Sequence, residues 1–114
     1  MRGLRAARLQ EIIAELRGRF ADPAFSPGQV ARKLGLSVRY IQNLIQQSGT
    51  SFTEHVLELR LQKARTMLMD RGHDHLKVSD IAAACGFNEV SHFNRCFRRR
   101  FGASPTSFRG TKEI

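Results

Sequence analysis

The sequence predicts an all-α fold of seven helices, which form two helix–turn–helix subdomains joined by a long linker helix. Apolar residues recur at helical spacing along most of the 114-residue chain. The alternating apolar runs that are typical of strands are absent from the sequence. A pattern of alanine, glycine and a large apolar residue in the first half returns in the second half. Together these observations predict two similar helical halves.

Three helices are predicted in the first half of the chain. The first carries an apolar stripe formed by Leu9, Ile12, Ile13, Leu16 and Phe20. Ser26 and Gln29 have the spacing of a capping box, and Pro27 suits the first position of the second helix. That helix is predicted to end at Gly35, where a glycine can adopt a positive φ. The third helix is predicted over about 37–48.

Four further helices are predicted in the second half. Ser51 and Glu54 have capping-box spacing and start the long linker helix, residues 51–70. A loop of sequence RGHDH separates it from a short helix, VSDIAAAC, and the next helix covers about 89–101. The last short helix starts at the Ser-Pro pair 104–105. The predicted division of the chain is residues 1–50, 51–70 and 71–114.

An internal duplication relates residues 30–45 to residues 81–97. The sequences VARKLGLSVRYIQNLI and IAAACGFNEVSHFNRCF align at an offset of about 51 residues, with one residue inserted after the turn. The matching turn residues are Ala31, Gly35 and Leu36 in the first copy, and Ala82, Gly86 and Phe87 in the second. The alanine allows close helix packing, the glycine permits a positive φ, and the apolar residue fills the corner. Lys77 stands where the first copy has Ser26, which predicts a weaker cap.

The second helix of each copy has a polar outward face. With Ile41 and Phe93 placed toward the core, a helical wheel also turns Val38 and Val90 inward. The residues that it turns outward are Arg39, Gln42, Asn43 and Gln46 in the first copy and Ser91, Asn94, Arg95 and Arg98 in the second. Arginine can bind guanine bidentately, glutamine and asparagine can bind adenine, and serine can bind either base. These faces therefore predict binding in the DNA major groove.

The outward residues divide into two predicted kinds of contact. The predicted base contacts are Arg39, Gln42, Asn43, Gln46, Ser91, Asn94 and Arg95. The predicted phosphate contacts are Ser37, Arg98 and Arg99. Gln46, Asn94 and the neighbouring His92 suit ordinary solvated surface as well as DNA contact. Arg100 falls on the apolar side, where it either bends outward at the helix end or caps a carbonyl.

The charge distribution supports an anionic partner. The formal net charge is +9, and the sequence pI is about 11.0. Residues 1–50 and 89–114 are basic, whereas residues 51–88 are neutral. The neutral linker helix would be ~28 Å long, close to the ~34 Å that separates successive major-groove faces. It is predicted to hold the two basic motifs one turn apart. Its Arg60 suits either phosphate or a neighbouring glutamate.

Other kinds of function have weaker support in the sequence. Cys85 and Cys96 lie in apolar patterns and are predicted to be reduced core thiols. The histidines around Asp74 are too few for a metal site, and no catalytic set or cofactor motif occurs. No apolar run could span a membrane, and the start lacks a signal peptide, so we expect a cytoplasmic protein. A non-specific basic DNA- or RNA-binding module remains an alternative. So does a reactive-cysteine enzyme.

The duplicated motif resembles the DNA-binding domain of the AraC/XylS family of bacterial transcription regulators. The similar segments are RLQKARTML (60–68) and VSDIAAACGFNEVSHFNRCFRRRFGASPTSFR (78–109). The resemblance implies seven helices and two helix–turn–helix subdomains that bind adjacent major grooves. The base-reading residues that it implies are Arg39, Gln42, Asn43, Ser91, Asn94 and Arg95.

The resemblance also implies partners. These are double-stranded promoter DNA and RNA polymerase, with activation as the usual outcome. Because the sequence contains no cofactor motif, we expect no cofactor. Most family members carry a further ligand-sensing or dimerisation domain before this one. The sequence is then either a fragment of a larger regulator or a stand-alone member; we expect a fragment, and we expect the protein to be associated with the nucleoid.

Overall fold

The computed structural model describes residues 2–110, and this part of the chain contains seven α helices and no strand. The all-α prediction and the number of helices are confirmed. The helices are α1 (Arg2–Arg19), α2 (Pro27–Leu34), α3 (Val38–Gln47), α4 (Phe52–Met69), α5 (Val78–Ala84), α6 (Val90–Phe101) and α7 (Pro105–Gly110). A short 3-10 helix, Arg71–His73, lies in the segment that was predicted as a loop.

The helix starts show which capping predictions hold. The Ser51 hydroxyl accepts a hydrogen bond from the Glu54 N–H at 3.1 Å, as its spacing predicts. The capping-box prediction for Ser26 is wrong, because its side chain makes no capping hydrogen bond. The amide oxygen of Gln29 instead accepts a hydrogen bond from Arg19 at 3.2 Å. Helix α2 starts on a proline, whose fixed φ favours the first helical position and which has no N–H to satisfy.

Helix α5 is capped from within its own first turn. Lys77 offers no side-chain acceptor, as the sequence predicts. Its backbone N–H donates to the Asp80 carboxylate at 2.9 Å. This carboxylate also places negative charge at the helix N-terminus, where the helix dipole favours it. This helix start therefore has a side-chain cap, from Asp80, whereas Ser26 at the equivalent start in the first copy makes none.

The chain divides into two compact units, Met1–Glu58 and Leu59–Ile114, and the boundary falls inside α4. The three-part division at 50/51 and 70/71 stays a prediction, and residues 111–114 of its last part lie outside the described residues. In the first unit, helices α1, α2 and α3 surround a mostly aliphatic core, to which the Phe25 and Phe52 rings, 5.4 Å apart between centroids, also contribute. Its fully buried residues are Ile12, Leu16, Val30, Ile41 and Ile45.

The second unit has a core rich in aromatic rings. Helices α5 and α6 pack together, and α7 packs on α6. The Phe93 ring lies 4.9 Å from Phe87 and 5.6 Å from Phe97, measured between ring centroids. The Phe97 ring lies 4.7 Å from Phe101 and 5.4 Å from Phe108. The ring series therefore connects the turn before α6 to the last helix.

Two arginines, Arg65 and Arg109, connect segments of the second unit. The Arg65 guanidinium lies 5.7 Å from the Phe101 ring and 5.8 Å from the Phe108 ring. Arg109 donates to the carbonyl oxygen of Leu76 at 2.7 Å and to that of His73 at 3.3 Å. Helix α7 is thus tied to the segment that leads into α5.

Candidate nucleic-acid interface

The two turns that position α3 and α6 have the same hydrogen bond. The Leu36 N–H donates to the Ala31 carbonyl at 3.0 Å, and the Phe87 N–H donates to the Ala82 carbonyl at 3.0 Å. This bond to the fifth preceding residue is that of a Schellman helix end, which needs a positive φ at the intervening position. Glycine supplies it in both copies, with φ of 68° in the first and 101° in the second. The prediction of a duplicated turn is confirmed.

Helix α3 is fixed by its buried face and by its cap. Ile41, Leu44 and Ile45 are buried, which orients the helix on the first unit. The Ser37 hydroxyl accepts a hydrogen bond from the Tyr40 N–H at 3.0 Å and caps the helix. The predicted contact residues of this motif are all exposed: Ser37, Arg39, Gln42, Asn43 and Gln46. The structure thus brings these side chains to the surface, and their contact with DNA stays a prediction.

Helix α6 has the same arrangement on an aromatic base. Phe93, Cys96 and Phe97 are buried, and Phe101 is half-buried. The predicted contact residues of the second motif are all exposed: Ser91, Asn94, Arg95, Arg98 and Arg99. Arg100, which the helical wheel places on the apolar side, is exposed, and its guanidinium lies 4.9 Å from the Phe101 ring centroid. Contact with this ring is compatible with a charged residue on the apolar side of the helix.

The inward placement of Val38 and Val90 is wrong. Their side chains are 39% and 42% exposed, respectively. Both are the first residues of their helices, where no preceding turn covers them. In addition, a side chain at this position leans toward the helix N-terminus and away from the core. The wheel misses this effect because it carries the angle of a residue and not its height along the helix.

Open grooves run beside both helices. The groove beside α3 has a volume of about 290 Å³ and is lined in part by Gln42, Asn43, Gln46 and Thr53. The groove beside α6 has a volume of about 350 Å³ and is lined in part by Arg60, Asn88, Glu89, His92 and Arg95. Asn88 and Glu89 were not predicted as site residues. The signal that points to them is their place between the glycine turn and the first turn of α6.

Among the described residues, three arginines on these faces form no ion pair, whereas some basic residues of α1 and α2 are paired. Lys33 lies 3.0 Å from the Glu15 carboxylate and Arg8 lies 3.4 Å from that of Glu11, so these charges are paired. Arg39, Arg95 and Arg98, in contrast, form no ion pair within residues 2–110. Because unpaired cations on an exposed face attract a polyanion, both motifs have the electrostatics that phosphate binding requires.

The cysteines are reduced and buried. Burial raises the pKa of the Cys85 thiol to about 11, although nearby Lys63 opposes the rise. A thiolate is therefore disfavoured at this position. Cys96 lies beside the His92 ring, with its sulfur 3.7 Å from Nε2. Among residues 2–110, no three histidine, cysteine or acidic side chains are grouped to hold a metal ion.

None of the helices in the described part of the chain combines the length and the apolar character that a crossing of the bilayer requires.

Comparison with known proteins places the match over both motifs. A family model described as a helix-turn-helix domain matches residues 30–111. The chain is 34% identical over 102 residues to transcriptional activator RhrA of Rhizobium meliloti (strain 1021), covering 90% of this chain and 32% of RhrA. It is 39% identical over 105 residues to HTH-type transcriptional activator RhaS of Escherichia coli O139:H28, covering 91% of this chain and 36% of RhaS. The chain thus spans about a third of these relatives.

Solved structures have the same fold. An AraC-type transcriptional regulator from Chromobacterium violaceum matches with a TM-score of 0.81 at 28% identity, over 94% of this chain and 93% of that one. The C-terminal domain of AraT, a response regulator from Geobacillus stearothermophilus, matches with a TM-score of 0.83 at 25% identity, over 93% and 86%. The DNA-binding domain of AdpA, solved with a target DNA, matches with a TM-score of 0.76 at 22% identity, over 90% of both chains.

Proposed function

This chain belongs to the AraC/XylS family of helix-turn-helix transcription regulators, and we propose that it binds duplex DNA of a defined sequence through the outward faces of α3 and α6. The observation that carries this proposal is the pair of matched exposed faces. Each follows the same glycine turn and bears side chains suited to base edges. The AdpA domain, which has the same fold, is known in complex with a target DNA, and this supports the proposal.

The residues of the two faces contact either bases or phosphates. On α3, Arg39, Gln42 and Asn43 contact bases, with Gln46 at the end of the same face. On α6, Ser91, Asn94 and Arg95 contact bases. Phosphates are bound by Ser37 at the start of α3 and by Arg98 and Arg99 in the last turn of α6. Exposure of all ten side chains, and the absence of ion pairs at Arg39, Arg95 and Arg98 among the described residues, support this division.

The two helices enter successive major grooves of one operator. The family resemblance implies this arrangement for two helix–turn–helix subdomains, and both motifs fall within the matched residues 30–111. A footprint of two protected segments, centred about one helical turn apart, is the expected result.

The full-length protein would act as an activator in the cytoplasm, on promoter DNA in the nucleoid. RhrA and RhaS are named as transcriptional activators, and both are about three times as long as the matched segment. By analogy, a further effector-sensing or dimerisation domain and contact with RNA polymerase complete the function. The family consists of regulators rather than enzymes, and we assign no reaction to this domain.

Selection from a random pool of duplex DNA tests the proposal. We expect an enriched motif with two half-sites, bound far more tightly than competitor duplexes, and a linear fall of log affinity with log salt. A non-specific basic module would give the salt dependence without enrichment. That result would overturn sequence-specific binding.

Two arginine variants test the division of contacts. Arg95→Ala should relax the preference at one base step and lower affinity for the operator by about 1–3 kcal/mol. Arg98→Ala should weaken binding to the operator and to competitor DNA by about the same factor. Equal losses from both variants, without any change in preference, would show that the two arginines are not divided between base and phosphate.

A further inference from the structure

Val38 and Val90 are exposed at matching positions of the two motifs. Among residues 2–110, only four large apolar side chains are strongly exposed, and these two valines are half of them. Each is the first residue of the helix that follows the glycine turn. The remaining two, Leu4 at 54% and Met69 at 42%, lie on α1 and α4. The apolar exposure therefore recurs with the duplication.

The helix geometry places each valine beside an amide side chain. Residues four apart lie one above the other on the same side of a helix. Gln42 follows Val38 by four residues, and Asn94 follows Val90 by four residues. Both amide residues are exposed. Each face thus presents an apolar group next to an amide at the helix end that enters the groove in helix–turn–helix proteins.

This pair of groups is complementary to an A·T pair. In the major groove, adenine offers an acceptor at N7 and a donor at N6, which the amide of glutamine or asparagine binds bidentately. Thymine offers a 5-methyl group, the one apolar group among the base edges in that groove, which an apolar side chain contacts. Burying valine and methyl surface together removes both from water, which is favourable.

We propose that Val38 and Val90 are specificity-determining residues that each contact a thymine 5-methyl group, beside an adenine bound by Gln42 or Asn94. The inference rests on the proposed function, since it requires that α3 and α6 bind in the major groove. It adds that each half-site contains one thymine whose methyl group is recognised. It also gives a function to apolar surface that the fold leaves in water.

Replacement of thymine by deoxyuridine tests the contact with a single methyl group. Deoxyuridine keeps the pairing and the O4 acceptor and removes only the methyl group. In the operator selected with the unaltered chain, each thymine is replaced in turn, and the dissociation constant is measured by fluorescence anisotropy. We expect one position in each half-site at which affinity falls about fourfold, the loss of one buried methyl.

Valine variants assign each position to its residue. Val38→Ala should lose sensitivity to deoxyuridine in one half-site and keep it in the other, and Val90→Ala should do the reverse. Leu4→Ala, an exposed apolar control on α1 and outside the two recognition helices, should keep both sensitivities. Circular dichroism and denaturation of each variant check that the fold is intact, and the deoxyuridine scan of the unaltered chain needs no variant.

The possible outcomes distinguish failure of the proposed methyl contacts from failure of the proposed DNA-binding function. Failure to enrich any DNA sequence would overturn the proposed function. Specific binding without a deoxyuridine-sensitive thymine, or with sensitivities that survive both valine variants, would overturn the inference alone.

Discussion

The two helix–turn–helix motifs have the same turn but differ in how their cores are built. Both turns contain the same 3.0 Å hydrogen bond to an alanine carbonyl. In the first unit the second helix of the motif packs through isoleucine and leucine against α1 and α2. In the second unit it packs through phenylalanines that contact one another and α7. The turn geometry therefore depends on three local residues and tolerates different cores.

The outward faces differ in charge. The last turn of α3 contains no basic residue, whereas the last turn of α6 contains three, Arg98, Arg99 and Arg100. Cations are favoured at a helix C-terminus, so this cluster is compatible with the helix dipole. The first face is thus rich in amides suited to base edges, and the second adds charge suited to phosphate. We therefore expect base contacts to contribute relatively more to binding by α3, and phosphate contacts relatively more to binding by α6.

The largest expected difference concerns the cores. Phe93→Ala should lower the free energy of unfolding by about 3–5 kcal/mol, because it removes a fully buried ring and two ring contacts. The matched variant Ile41→Ala should cost about 2–5 kcal/mol, and we expect it to lie below the phenylalanine variant. Urea denaturation followed by circular dichroism measures both. A larger loss of unfolding free energy for Ile41→Ala than for Phe93→Ala would contradict the expectation that the buried phenylalanine contributes more to stability.

The glycine turns should also respond unequally to alanine. Gly86 has φ of 101°, outside the left-handed region that other residues can reach, so Gly86→Ala should cost about 2–3 kcal/mol. Gly35 has φ of 68°, within that region, and no atom lies within 4 Å of a Cβ there. Gly35→Ala should therefore cost only about 1–2 kcal/mol. Equal losses in denaturation would show that the two turns are equivalent.

Variants at matching positions of α3 and α6 should differ in the salt dependence of DNA binding. Arg98→Ala should weaken operator binding about tenfold, and it should reduce the slope of log affinity against log salt by about 0.9. Gln46 is the matching residue of α3, and Gln46→Ala should leave the slope unchanged because it carries no charge. Titrations at several salt concentrations provide the measurement. If Arg98→Ala left the slope of log affinity against log salt unchanged, Arg98 would not be a phosphate contact.

The smallest expected effect concerns the caps. Ser37→Ala removes the hydroxyl that accepts from the Tyr40 N–H and should lower stability by about 1 kcal/mol. Glu89 is at the same position before α6 and makes no side-chain capping bond. Glu89→Ala should therefore change stability by less than about 0.5 kcal/mol. Comparable losses from the two variants would indicate a capping function for Glu89 as well.

Much of the fold is predictable because its determinants are close together in sequence. Helical spacing of apolar residues identified the helices, and the alanine–glycine–apolar pattern identified both turns. The cap at Ser51 also followed from its spacing to Glu54. The capping box at Ser26 did not form: its hydroxyl makes no cap, and the Gln29 amide oxygen that would complete the box accepts from Arg19 of another helix. A capping motif in the sequence shows which hydrogen bonds its residues are able to form. A partner on another helix can bind the same side chain instead.

The sequence by itself determined the seven helices, the duplicated turns and the polar character of the two outward faces, since each depends on contacts within a few residues. Only the tertiary structure decided that Val38 and Val90 are exposed and that Arg109 binds the carbonyls of His73 and Leu76. Exposure at the first residue of a helix depends on which other segments cover that end. A contact between residues more than thirty positions apart depends on how the helices pack.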